Sequence, residues 1–313
     1  MTDQEFVAMQ KSTSVRSREL PWAVRLARPA LAALSALSPE LAAPVAERLF
    51  LTAPRQPRPP HETVALESAR RTIVDAGSPV TAWTWGRGPA VLLVHGWGGR
   101  GAQLASFVPP LVASGHAVIA FDAPGHGVSR GRRSSLVAFV EAIGTVDRAL
   151  GPVRGVIAHS IGAAAAAVAL RDGLRADAAV LLAPPADLAL HAGLILETFG
   201  FGRRARELMR ERVERRLGVP WTTLDVGRFA YRMQTPLLVI HDREDAEVPW
   251  QEGAIIAQAW PGATLTTTGG LGHRRLLRDP DVVRGATGFL LAQLCGSTPA
   301  PAEHDPAMVC SAA

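Results

Sequence analysis

Gly155-Val156-Ile157-Ala158-His159-Ser160-Ile161-Gly162-Ala163-Ala164 is the stretch whose reading decides the fold. An apolar run ends on a serine, small residues stand two places on either side of it, and an alanine-rich helical segment follows. That pattern describes a strand that turns abruptly into a helix with Ser160 at the apex. Ala158 and Gly162 must be small because larger side chains would collide in so sharp a turn. The turn lifts the serine oxygen clear of the sheet and sets the first helical N–H groups beside it. A serine so placed can attack a carbonyl carbon if a histidine takes its proton.

Outward from this turn, strand and helix patterns alternate. Arg71 to Asp75 and Val80 to Trp85 read as two antiparallel edge strands. Ala90 to His95, His116 to Phe121, Val153 to His159 and Ala178 to Leu182 are apolar runs, as buried parallel strands require. Helices are predicted over Ala102 to Ser114, Ser134 to Leu150 and Ile161 to Asp172. The alternation implies an α/β fold, a mostly parallel central sheet with helices on both faces. It breaks between Pro184 and Met233, where Leu188 to Phe199 and Arg203 to Leu217 read as helices. It resumes with a strand at Pro236 to His241, a helix at Gln251 to Ala259, a strand at Ala263 to Thr267 and a closing helix at Asp281 to Leu294. The interruption reads as a small helical lid over the serine.

The predicted organisation is an N-terminal helical extension and linker over 1–60, core over 61–183, lid over 184–234, core over 235–296 and a disordered tail over 297–313. Residues 1–18 are expected to be frayed. Leu31, Leu34, Leu37, Leu41, Val45 and Leu49 recur at helical spacing. Ser38-Pro39-Glu40 supplies an N-cap, a first-turn proline and an early acid, which splits the extension into two helices. Leu20 to Phe50 is expected to pack on the main domain, on a second copy as a homodimer, or on a membrane surface. Ala53 to Pro60 reads as an extended linker.

Composition narrows the function. The 313 residues carry 33 Lys+Arg against 28 Asp+Glu, a formal net charge of +5, and are 48% hydrophobic. Only Lys11 is a lysine, and the arginine cluster from Arg203 to Arg216 has no interleaved aromatics, so nucleic acid is not an expected partner. Glu207, Glu211 and Glu214 stand at ion-pairing intervals in that cluster, which reads as a solvated face. A second reading has its arginines meeting an anionic substrate tail. The two cysteines, Cys295 and Cys310, show no disulfide framework, and the start lacks a secretory pattern, so a cytoplasmic location is expected. Ala102 to Phe121 is uncharged, but Pro109-Pro110 and Gly115 cut it, so no transmembrane segment is predicted. No H-x-x-x-H or C-x-x-C spacing calls for a metal, no G-x-G-x-x-G turn follows the first strand to call for a dinucleotide, and no cofactor is expected.

A triad on Ser160 needs an acid and a histidine from elsewhere in the chain. Asp242, Glu244, Asp245 and Glu247 are the candidate acids. His273, in Gly269-Gly270-Leu271-Gly272-His273, is the candidate base, and His304 lies in the tail. With the serine turn, His95-Gly96-Trp97-Gly98-Gly99, Phe121-Asp122-Ala123-Pro124-Gly125-His126-Gly127-Val128-Ser129, Asp245-Ala246-Glu247-Val248-Pro249 and Gly272-His273 stand in the order of a known family. Over Thr72 to Leu294 the chain resembles the α/β-hydrolases, in their serine esterase and lipase-like branch. Ala158 stands where that family usually has glycine. The resemblance implies Asp245 as the orienting acid, because it stands four residues before Pro249, with Asp242 in reserve. It implies an oxyanion hole from the N–H groups of Trp97 and Ile161, and substrate contacts from His95, Gly96 and His159. His126 reads as structural, and His95 and His241 as strand-end rings bonded to loops. The implied activity is hydrolysis of a small-molecule carboxylic ester or thioester through an acyl-enzyme. The alternatives are an acyltransferase with the same triad and a slow or non-catalytic ligand-binding homologue. Serine at the apex argues against branches that need an aspartate nucleophile.

Overall fold

The computed structural model describes residues 22–75, 77 and 79–296. The expectations for 1–18 and 297–313, with His304 and Cys310, lie outside these residues.

Two helices open the described chain, α1 (Trp22–Leu37) and α2 (Pro39–Leu51). Ser38 caps α2, its hydroxyl accepting from Leu41 N–H at 3.4 Å, which breaks the stretch at the predicted place. The segment read as linker ends in an unpredicted helix, α3 (Pro60–Glu67). Its Glu62 forms a buried bidentate pair with Arg100, so this helix is held by a distant partner, not by local patterning.

The sheet has eight strands: β1 (Arg70–Asp75), β2 (Pro79–Trp85), β3 (Ala90–Val94), β4 (Ala117–Asp122), β5 (Val153–His159), β6 (Ala178–Leu182), β7 (Leu237–Asp242) and β8 (Thr264–Thr268). Their spatial order is β1-β2-β4-β3-β5-β6-β7-β8. β2 runs antiparallel to both β1 and β4, and the remaining pairs are parallel. Only β1 of the first two strands is therefore an edge. β2 lies inside the sheet, a correction to its reading as an edge strand. Strands β3, β6 and β7 are buried at every position, as sheets covered on both faces demand.

The single helix expected over 102–114 is a 3-10 turn, Gly101–Phe107, followed by the short α4 (Val108–Ala113). Pro109 and Pro110 explain the division, since proline is tolerated in a first turn and not inside a helix. The covering helices are α5 (Leu136–Leu150), α6 (Ile161–Arg171), α10 (Trp250–Ala259) and α12 (Pro280–Gly296), with α11 (Gly272–Arg275) before the last. Between β6 and β7 stand α7 (Leu188–Thr198), α8 (Arg203–Leu217) and the short α9 (Val226–Phe229). This insertion is anchored to the core at its start and tied to itself near its end. The Glu252 carboxylate accepts from Ala186 and Asp187 N–H, and Asp225 accepts from Leu188 N–H.

Helix α2 packs on α8 within the same chain. Ala42, Ala43 and Ala46 join Ala205, Met209 and Val213 in one buried cluster, where small residues permit close approach. Glu47, 5% exposed in its side chain, accepts from Arg212 Nε at 2.8 Å and Arg216 Nε at 2.6 Å. Two of the arginines read as solvated thus turn inward to a carboxylate. Leu26, Leu37 and Leu41 on the outer side are exposed. Among the described residues no helix is long and apolar enough to cross a membrane.

Candidate active site

The chain order places β3 between β4 and β5, with successive connections leaving it in opposite directions. Such a reversal opens a crevice at the carboxyl ends of the strands. Ser160 follows β5 and Trp97 follows β3, so both rise from that crevice. Ser160 has φ 56° and ψ −130°, a conformation rare for a residue with a side chain. It persists because its surroundings fix it: Ser160 N–H bonds Leu182 O at 2.9 Å, and Ser160 O starts α6 by accepting from Ala163 N–H at 2.8 Å. The predicted need for small neighbours is met in a specific way. A Cβ on Gly162 would lie 2.2 Å from His95 O, and one on Gly96 would lie 2.9 Å from the Ser160 Cβ.

The structure brings three distant residues together. His273 Nε2 lies 3.0 Å from Ser160 Oγ, and His273 Nδ1 lies 2.7 Å from Asp245 Oδ2. A carboxylate only accepts, so Nδ1–H donates to Asp245 and Nε2 keeps a lone pair toward the serine hydroxyl. Asp245 Oδ1 accepts from Glu247 N–H at 2.8 Å and Val248 N–H at 2.9 Å. Burial acts to raise the Asp245 carboxyl, but the bonds from His241 and His273, the His273 charge and Val248 N–H outweigh it. The net effect holds the carboxyl well below its usual range.

The reserve acid, Asp242, is engaged elsewhere. Its carboxylate accepts from Glu244 N–H, Thr268 Oγ1 and Leu271 N–H, which tie the post-β7 and post-β8 loops together. His241, fully buried, is a partner the sequence did not reveal. Its Nε2–H donates to Val248 O at 3.0 Å and lies 3.4 Å from Asp245 Oδ2.

The N–H groups of Trp97 and Ile161 have no backbone acceptor among the described residues, and both residues line the cavity that Ser160 opens into. Gly96, also expected to touch substrate, does not line the cavity; it lets that loop approach Ser160 closely. The substrate contacts expected from His95 and His159 are corrected by the structure. His95 is fully buried: Nδ1–H donates to Gly96 O at 2.7 Å, and Nε2 accepts from Ala123 N–H at 2.9 Å. Burial pushes that ring down to about 4, so it stays neutral while it shapes the loop. His159 donates from Nε2 to the backbone carbonyl of His273 at 2.9 Å, with the two rings 4.6 Å apart. Burial, and then the neighbouring His273, hold it well below its usual value. It supports the loop that carries His273 and does not line the cavity.

That cavity has a volume of about 250 Å³. Its walls come from α2, the β3 and β5 turns, and the insertion; Leu49, Phe50, Ile161, Leu188, Leu196 and Trp221 are representative. Among the described residues no Asp, Glu, Lys or Arg lines it. His191, on α7, is its one ring with a proton to exchange. Burial, and then His273, push His191 down to about 4, so it is neutral at pH 7. Sequence reasoning missed it because only the fold turns α7 toward the serine. Among the described residues no group of three or more His, Cys, Asp or Glu is placed to hold a metal ion.

Comparison with known proteins gives the site a context. Two proteins called "Putative carbamate hydrolase RutD", from Pseudomonas savastanoi pv. phaseolicola and Pseudomonas syringae pv. syringae, are 41% identical over 72 residues. The match takes in 23% of this chain and 28% of the relatives' length. Among solved structures, a meta-cleavage product hydrolase from Pseudomonas fluorescens IP01 aligns with TM-score 0.55 at 19% identity. That alignment covers 73% of this chain and 99% of the other. The esterase EaEST from Exiguobacterium antarcticum aligns with TM-score 0.56 at 14% identity, over 72% of this chain and 100% of its own. Est1E from Butyrivibrio proteoclasticus, solved with ferulic acid bound, aligns with TM-score 0.53 at 18% identity, over 72% and 99%. At these identities the structures speak for the fold alone. The profile described as "Alpha/beta hydrolase family" matches residues 91–286, most of the chain and every strand from β3 onward, and the chain belongs to that family.

Proposed function

We propose that the protein is a serine hydrolase that cleaves carboxylic esters or thioesters through an acyl-enzyme on Ser160. The observation that carries this reading is the position of one ring: His273 lies within bonding reach of Ser160 on one nitrogen and Asp245 on the other. Ser160 Oγ attacks the substrate carbonyl carbon as its proton passes to His273 Nε2. Asp245 holds the ring in the Nδ1–H tautomer and stabilises the imidazolium that forms. The carbonyl π pair moves onto oxygen, and that oxyanion is received by the free N–H groups of Trp97 and Ile161. Collapse expels the alcohol or thiol, which takes the proton from His273 and leaves Ser160 acylated. Water then attacks the acyl-enzyme while His273 accepts its proton, which returns to Ser160 as the acid departs. In this reading residues 184–234 act as a lid that keeps bulk water from the cavity.

The test is mass spectrometry after treatment with a fluorophosphonate, alongside turnover of p-nitrophenyl butyrate and of a p-nitrophenyl carbamate. The expected adduct sits on the Ser160 peptide, and Ser160→Ala loses the adduct and at least ~10³-fold in kcat. No adduct, or an adduct on another residue, would overturn the reading.

A further inference from the structure

We infer that α2, a helix outside the family-matched region, is the outer wall of the acyl-binding cavity, and that Phe50 limits the length of the neutral, apolar acyl group admitted. The inference rests on the proposed nucleophile, because the cavity is an acyl site only if Ser160 is acylated.

Three observations lead to it. First, part of the wall is built from residues that the family match does not take in. The family match begins at residue 91, and the aligned structures are nearly fully covered by about three-quarters of this chain or less. Yet Leu49, Phe50, Thr52 and Pro54 line the same cavity as Ser160 and Ile161. Second, the wall is fixed in place. Phe50 lies against Trp221 with ring centroids 5.3 Å apart, and Trp221 is 2% exposed. One turn before Phe50, Glu47 grips two arginines of α8. Ser35 Oγ accepts from Gly202 N–H at 2.9 Å and ties the extension to the start of α8. Third, the chemistry of the lining selects the ligand. Among the described residues no charged side chain lines the cavity, so a carboxylate or phosphate tail would enter without a counter-charge from them. None of the α8 arginines lines this cavity: Arg212 and Arg216 are bound to Glu47, and Arg203, Arg206 and Arg210 line an outer cleft that shares Ala192, Leu196 and Trp221 with it.

Size completes the assignment. At about 250 Å³ the cavity exceeds the engineered pocket of ~150 Å³ that takes up benzene, and falls short of the ~300–1,000 Å³ usual for drug-sized ligands. The acyl arm is therefore a short aliphatic chain or a single aryl ring.

The experiment measures kcat/KM on p-nitrophenyl acetate, butyrate, hexanoate and octanoate and on the p-nitrophenyl half-ester of succinate. It compares the full chain with Phe50→Ala, Phe50→Leu and Phe50→Trp. One methylene in an apolar pocket is worth roughly tenfold or more. Phe50→Ala should raise the octanoate-to-butyrate ratio about tenfold, Phe50→Leu should move it the same way by less, and Phe50→Trp should lower it. The succinate half-ester should be a poorer substrate than butyrate in every form. Ratios that stay fixed in the folded variants, with Ser160 still labelled by fluorophosphonate, would overturn the wall assignment alone. A succinate half-ester turned over as well as butyrate would overturn the neutral substrate class. Failure of Ser160 to label in the unaltered chain would instead remove the acyl-enzyme on which the assignment rests. Phe50→Leu keeps the test decisive if the alanine variant does not fold.

Discussion

Five of the histidines near the site are told apart by the partner that a ring nitrogen bonds. His273 bonds a carboxylate on one side and a hydroxyl on the other. His159, His95, His126 and His241 each bond a backbone carbonyl, which fixes one nitrogen as the donor. In the proposed mechanism the difference between a proton carrier and a structural ring is thus the chemistry of its partner. Asp245→Asn tests this at the scale of one atom. An amide donor facing Nδ1 would favour the tautomer with its proton on Nε2, where a lone pair is needed. The expected result is a fall in kcat of about 10⁴-fold, read from p-nitrophenyl ester turnover, with the fold retained by circular dichroism. Ser160 and His273 stand out as candidates in the sequence because a strand-end serine turn and a late Gly-His pair are local patterns. The proximity of His241 and His191 could not, since it follows from strand order and from the direction α7 takes out of the sheet.

Elements were legible where the signal was local. The predicted bounds of β5, β6 and α8 coincide with the observed Val153–His159, Ala178–Leu182 and Arg203–Leu217. A continuous apolar run or a long charged helix needs no tertiary context to declare itself. Helix α3 was missed because its residues carry no amphipathic stripe and follow a proline-rich stretch; its hold on the protein is Glu62 with Arg100, and Trp85 Nε1–H donating to Ala65 O. The contact between α2 and α8 has a measurable acid dependence. Burial acts to raise the Glu47 carboxyl, but its bonds to Arg216 and Arg212 outweigh this and the net shift is downward. A lowered folded-state value means the unfolded chain binds the proton first. The stabilisation is therefore complete above the unfolded value of ~4.5 and lost as pH falls through the folded one. Because both arginines are more than a third exposed, solvent screens the pair, and about 1 kcal/mol is expected at pH 7. Urea denaturation of Glu47→Gln against the unaltered protein should show that difference at pH 7 and a smaller one near pH 3.5.

At the scale of the whole molecule, long-range ties hold the segment before β1 to the core. Arg55 donates to the carbonyls of Gly125, Ser129 and Gly131, and Glu62 pairs with Arg100, six residues past β3. Arg100 is 6% exposed and Glu62 2%. Removing the carboxylate strands a buried cation. Glu62→Ala should lower unfolding free energy by about 3–5 kcal/mol, measured by chemical denaturation, whereas an exposed pair would show a fraction of that.

The pairing of β3 with β5 carries a further consequence. Val94 stands opposite Ala158 in one ladder, so the loops bearing Trp97 and Ser160 leave the sheet from neighbouring rungs. Asp245 and His273 arrive from the far side, after β7 and β8. In the proposed mechanism the attacking oxygen and the amides that receive the developing charge are thus mounted on adjacent strands. In that mechanism the ring that ferries the proton comes from beyond β8 and is joined to the serine turn through His159, which donates to the His273 carbonyl.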